Sequence, residues 1–194
     1  MKIFITAEVD KTLSLLSAIR ADEALHEQIQ QVVEQIVASL RNGGKVLVAG
    51  NGGSAADAQH FAGEFVSRFN YDRPGLPAIA LTTDTSILTA IGNDYGYERL
   101  FERQVQALGQ KDDVFLGIST SGNSPNVVAA LRQARSMGLF TVGMTGQSGG
   151  TMKDLCDICL RMPSSETPKV QEGHIAIEHI ICGLVEATIF PKNN

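Results

Sequence analysis

This sequence predicts an α/β fold: a three-layer sandwich with a five-stranded parallel sheet in flavodoxin-like order, preceded by long N-terminal helices. Three observations predict it. From residue 45 onward, short apolar runs of strand length alternate with longer segments of helical periodicity. Those runs show little polar alternation, as strands covered on both faces do. From about Glu8 to Leu40 the apolar residues recur at helical spacing.

In chain order, Leu13, Leu16 and Ile19, then Ile29, Val32, Val33, Ile36 and Leu40, mark one long helix or two from about Glu8 to Leu40, stopped at Gly43-Gly44. That is a long introduction to a domain, so its apolar face is expected to pack on a partner subunit as well as on its own core. Residues 1–43 are therefore read as a helical oligomerisation segment of a single domain spanning 1–194. Lys45 to Ala49 reads as a strand, Ser54 to Phe69 as a helix, Ala78 to Leu81 as a strand, and Ser86 to Ala107 as helical with a break near Gly92 to Gly96. Val114 to Ile118 and Thr141 to Met144 are strands around a helix from Ser124 to Met137; a last strand, Ile158 to Arg161, precedes a closing helix from Val170 to Ile189. Right-handed crossovers between parallel strands then place ligands at the strands' carboxyl ends.

Composition narrows the functional classes. The 194 residues are 43% hydrophobic and 19% charged, ordinary for one globular domain, and the net charge of -5 leaves no basic footprint for a nucleic-acid backbone. Met1 to Thr6 is too short an apolar run for a secretory signal and is followed by Glu8 and Asp10, and no run reaches membrane-spanning length. Three cysteines provide no disulfide framework, so a cytoplasmic protein is expected. Cys156 and Cys159 have the spacing of a redox or zinc CxxC, but no second such pair exists, and Leu155, Ile158 and Leu160 around them read as a buried strand.

Two loops suit an anion. The first strand runs into Gly50-Asn51-Gly52-Gly53-Ser54 and a helix, which brings backbone N–H groups to a helix N-terminus where a phosphate can sit. It lacks the Lys-Ser/Thr pair of a Walker loop and the third glycine of a dinucleotide fingerprint. The third strand runs into Ser119-Thr120-Ser121-Gly122-Asn123-Ser124, with Ser124 as N-cap and Pro125 at the first helical position; four hydroxyls exceed what capping needs. Gly92-Asn93-Asp94 reads as a helix end that could also offer an amide and a carboxylate to sugar hydroxyls.

His60 and Glu64 are one helical turn apart, and Gln171 and His179 share a face of the closing helix. Two imidazoles, a carboxylate and an amide can shuttle protons or hold a zinc-like metal. His174 is read as supporting or structural, and His26 as a surface residue.

Taken together, Gly50 to Ser54 with Asp57, His60 and Glu64, then Ile118 to Ser124, and finally Gln171, Glu172, His174 and His179 resemble the sugar isomerase (SIS) domain family over nearly the whole chain. Within it they look like the phosphoheptose isomerases, which convert sedoheptulose 7-phosphate to D-glycero-D-manno-heptose 7-phosphate for lipopolysaccharide precursors. The resemblance implies an aldose–ketose isomerase in which Asn51, Gly52, Gly53, Asn93 and Asp94 bind substrate. It implies the same of Ser119, Thr120, Ser121, Ser124 and Gln171. Glu64 and His179 would be the acid/base pair working through an enediol, and His60, Glu64, Gln171 and His179 the ligands of one Zn2+ per subunit. A homotetramer whose N-terminal helices bundle is implied too. The family also contains enzymes for other sugar phosphates, and non-catalytic relatives that bind the bacterial replication initiator and lack a competent pair at the positions of Glu64 and His179. Gly63 and Gly173 depart from the helix-favouring residues usual beside the site, each at a local cost of about 1 kcal/mol.

Overall fold

The computed structural model describes residues 1–192. The N-terminal stretch forms two helices, α1 (Lys2–Ala21) and α2 (Glu23–Arg41), separated at Asp22, whose carboxylate accepts from the Leu25 N–H and caps α2. α2 buries Ile29, Val32, Val33 and Ile36 as their spacing predicts, and α1 buries only Leu15 and Ile19. Phe4, Ile5, Val9 and Leu13 on α1 stay exposed.

The sheet comprises β1 (Val46–Gly50), β2 (Ala78–Ala80), β3 (Val114–Ser119), β4 (Phe140–Thr145) and β5 (Ile158–Arg161), all parallel, in the order β2-β1-β3-β4-β5. This is the predicted flavodoxin-like order. Every residue of β1 and β3 is buried, because helices cover both faces. One apolar core joins the sheet to α1, α2, α3 (Gly53–Val66) and α7 (Thr167–Ile189), with Phe61, Phe65 and Ile177 at its centre. A second core on the opposite face joins it to α5 (Leu100–Leu108) and α6 (Pro125–Ser136) through Phe101, Val105, Phe115 and Leu131.

Two local expectations are corrected. The Gly92-Asn93-Asp94 segment does not end a helix: α4 (Thr85–Tyr95) runs through it and stops at Gly96, whose φ of 86° only glycine adopts readily. The helix reading from Ser54 to Phe69 overshoots as well, because α3 ends at Val66 and the Arg73 guanidinium takes up its last carbonyls. Gly173 has a packing reason: a Cβ there would lie 2.8 Å from the Met162 sulfur, so its absence lets α7 settle on the end of β5.

Candidate active site

β1 and β3 are neighbours at the centre of the sheet, and both end in the glycine and hydroxyl turns, so the two loops emerge side by side. In the first, Gly52 caps α3 with a φ of 57°. A side chain on Gly53 would collide with the Gln171 amide, so α7 lays that amide directly on the start of α3. In the second, the Ser119 hydroxyl bonds that of Ser124 at 2.8 Å and lies 3.4 Å from that of Ser121. Ser124 is the N-cap as predicted, though its side chain turns to Ser119 instead of capping the helix. The Asn51 oxygen accepts from Asn126 and from the Tyr97 hydroxyl and its Nδ2 donates to Asn126, which leaves one Nδ2 hydrogen and the backbone of that loop as donors to a ligand. Asn93 and Asp94 lie on the exposed last turn of α4, where the Asn93 amide donates to the Asp94 carboxylate.

Down the α3/α7 seam from Gln171, the residues singled out from sequence converge. The Nε2 atoms of His60 and His179 are 2.8 Å apart, so one ring donates and the other accepts. Glu64 Oε1 lies 3.4 Å from His60 Nε2. The Phe69 ring leans on His179 with centroids 5.6 Å apart. Donor atoms of His60, Glu64 and His179 all fall within 4.8 Å of one another. Two imidazoles and a carboxylate suit a zinc-like ion, whose catalytic sites use three protein ligands and keep a fourth position open.

A match to the SIS domain family spans residues 9–146. The chain belongs to the SIS domain family. It is 62% identical over 189 residues to a phosphoheptose isomerase of Burkholderia pseudomallei, covering 97% of this chain and 96% of the relative. It is 58% identical over 190 residues to that of Aneurinibacillus thermoaerophilus, covering 98% and 96%. The solved structure of phosphoheptose isomerase GmhA from Neisseria gonorrhoeae superposes with a TM-score of 0.90 at 40% identity, covering 96% of this chain and 98% of that one.

Around the triad, this SIS domain holds further buried titratable groups, of which Glu178 was not singled out from sequence. Glu178 on α7 is fully buried with neither carboxyl oxygen hydrogen-bonded, and on α3 one oxygen of Asp57 is likewise buried and unpartnered. Burial, then the charge of Asp57, pushes the Glu178 carboxyl up to about 8, so it is mostly protonated near neutrality. The seam behind the histidines therefore carries less negative charge than its composition suggests. His174 is also fully buried; its Nε2 donates to the Thr145 carbonyl at 3.2 Å, and burial lowers its pKa to about 4. It is a neutral structural residue.

The loop after α3 is pinned by a buried ion pair. Arg73 donates to Glu186 Oε1 at 3.1 Å and to the carbonyls of Glu64 and Phe65 at 2.7 and 2.6 Å, while Glu186 accepts the N–H groups of Phe69 and Asn70 at 2.8 and 2.7 Å. Burial alone would raise the Glu186 carboxyl, yet those N–H groups and the guanidinium hold it below the usual carboxylate range. The pair fixes both the backbone of Glu64 and the ring against His179. No spacing rule links positions 113 residues apart, so this brace carries no signature in the sequence.

Proposed function

We propose that this SIS-domain protein is an aldose–ketose isomerase that converts sedoheptulose 7-phosphate to D-glycero-D-manno-heptose 7-phosphate. The observation that carries the reading is the meeting of His60, Glu64 and His179 across the α3/α7 seam, beside two loops suited to a phosphate. High identity to phosphoheptose isomerases along nearly the whole chain supports that substrate.

The phosphate is held by the N–H groups of Asn51 to Gly53 at the start of α3 and by the hydroxyls of Ser119, Thr120, Ser121 and Ser124. Asn93, Asp94 and Gln171 contact the sugar. Glu64 removes the proton beside the carbonyl and returns it to the neighbouring carbon, so that C1 and C2 exchange oxidation level through an enediol. His179 moves the proton between O1 and O2 and assists ring opening. Its ring is held for this by Phe69 and by the nitrogen of His60.

His60, Glu64 and His179, with Gln171 as a fourth donor, would hold zinc. When bound, the ion supplies Lewis-acid polarisation of the carbonyl. The exposed apolar residues of α1, among them Phe4, Val9 and Leu13, support a homotetramer in which residues 1–43 are the assembly segment. A cytoplasmic location fits the free cysteines, and no helix among the described residues is long and apolar enough to cross a membrane.

NMR of the protein with sedoheptulose 7-phosphate in D2O, before and after chelation and zinc restoration, tests the reading. Formation of a heptose 7-phosphate carrying deuterium at C2 is expected. No conversion in either metal state, with the assembly intact, transfers the assignment to another sugar phosphate or to a non-catalytic role.

A further inference from the structure

Cys156 and Cys159 take no part in the isomerase site, and the strand expected from Ile158 to Arg161 is present as β5, with Leu160 buried. Cys156 lies before β5, Cys159 lies within it, and both side chains are only half-buried. Cys159 is registered against Gly143 on β4. A Cβ on Gly143 would stand 2.6 Å from the Cys156 sulfur and 3.5 Å from the Cys159 sulfur, and 3.2 Å from the Met152 methyl. The missing side chain therefore opens one recess at the sheet edge that both sulfurs share, with Met152 as its apolar wall. The Thr145 hydroxyl lies 3.6 Å from Cys159, the neighbour that hydrogen-bonds its sulfur.

The two thiols are not equivalent. The neighbouring Cys156 thiol, with Thr145 and the Arg161 charge, lowers Cys159 to about 7 against the opposing effect of burial, while Cys156 is raised. Cys159 is the more acidic of the two thiols and the one that yields a thiolate first, with Cys156 as the protonated partner.

The pair also touches the substrate loop through one peptide. The Thr145 carbonyl accepts from the Met162 N–H at 2.8 Å and from His174, and the next N–H, that of Gly146, donates to the Thr120 carbonyl at 3.0 Å. Thr145 is thus in contact with Cys159 on one side and one residue from the Ser119 to Ser121 loop on the other.

We propose that Cys156 and Cys159 form an oxidation site, a vicinal dithiol that a peroxide closes to an intramolecular disulfide, and that closure is transmitted through Thr145 and Gly146 to the hydroxyl loop. In the first step the Cys159 thiolate attacks one peroxide oxygen, the O–O bond breaks, and a sulfenic acid and hydroxide form. In the second, the Cys156 sulfur attacks the sulfenic sulfur; the S–O bond breaks, water leaves with the Cys156 proton, and the S–S bond forms. Two electrons pass from the sulfurs to the peroxide. Closing the bond changes the contact between Cys159 and Thr145, through which the pair reaches the substrate loop.

The test treats the whole protein with hydrogen peroxide, follows intact mass and peptide connectivity, and measures KM for sedoheptulose 7-phosphate on the same samples. The kinetic arm rests on the isomerase reading and the mass arm does not, so the two fail separately. The expected result is a loss of about 2 Da with residues 156 and 159 linked, together with a raised KM, both reversed by dithiothreitol and both absent in Cys159→Ser. Oxygen addition at Cys159 with no loss of mass, or linkage between chains, overturns the dithiol. A disulfide that leaves KM unchanged overturns its transmission to the loop.

Discussion

Asn51 and Asn126 exchange their amides: each Nδ2 donates to the other's Oδ1, at 2.8 and 2.9 Å, and the Tyr97 hydroxyl completes the Asn51 oxygen at 3.0 Å. Asn126 is almost fully buried and sits on the first turn of α6, so this exchange ties the glycine loop to the helix that the serine loop caps. The two loops that end β1 and β3 are held in one register by it.

Asn126→Ala removes both bonds and leaves the Asn51 amide without its partner. At about 1–3 kcal/mol for such a loss, kcat/KM should fall by roughly one to two orders of magnitude, mostly through KM. Steady-state kinetics checks this; an unchanged KM would separate the asparagine pair from substrate binding.

Glu64→Gln keeps the size and part of the hydrogen bonding of the carboxylate but cannot take a proton. Turnover should drop by about 10²–10⁴-fold while calorimetry still detects sugar-phosphate binding. Wild-type turnover in this variant would rule Glu64 out as the base.

His60→Ala deletes one of the three clustered donors. Metal analysis after dialysis against zinc should find the wild type loaded and this variant largely empty, and chelation should depress wild-type activity with recovery on zinc addition. Equal loading of the two proteins would place the ion elsewhere.

Glu186→Ala strands the Arg73 guanidinium in a site where the ion pair is nearly fully buried, with side-chain exposures of 3% and 1%. Removing one partner of such a pair costs about 3–5 kcal/mol, to be read from urea unfolding. Activity per folded molecule should also fall, because Phe69 and the backbone of Glu64 lose their anchor.

Acid sensitivity should trace in part to His174. Burial, partly offset by its bond to Thr145, lowers its pKa from 6.5 to about 4 in the folded chain. Between those values the unfolded chain binds a proton that the folded chain does not, so stability is lost as pH falls through that window and is unaffected above it. His174→Gln should flatten this part of the stability profile, measured by urea unfolding at about pH 5 and about pH 7.5.

The order of strands, the two loops and the pairs His60–Glu64 and Gln171–His179 were legible because each rests on local periodicity or on a short run of special residues. The break at Asp22 was left open as one long helix or two, because the apolar rhythm from Leu13 to Leu40 runs on both sides of it and only the structure shows its carboxylate capping α2. The stop near residue 92 was misassigned because Gly92 and Gly96 are equally plausible breakers in sequence, and only the backbone at Gly96 requires one. The partners of Asn51, Glu186 and Cys159 were not legible. Each depends on which elements the sheet sets side by side. The recess over Gly143 exists only because β4 and β5 pair in that register. Glu178 looked like an ordinary polar helix position until α3 closed over it.

His60 and Glu64 ride together on α3, so the helical repeat fixes their mutual spacing, whereas His179 comes from α7 and its separation from them is set by how tightly two rods lie together. That separation is thus governed by packing residues outside the triad, such as Ala62 and Cys182 in the shared core. A single methylene added to such a filler would widen the gap between Glu64 and the His179 imidazole without altering either. The seam is a gauge that substitutions remote from the reacting atoms can reset, and it offers the most direct handle for retuning the rate while every reactive group stays in place.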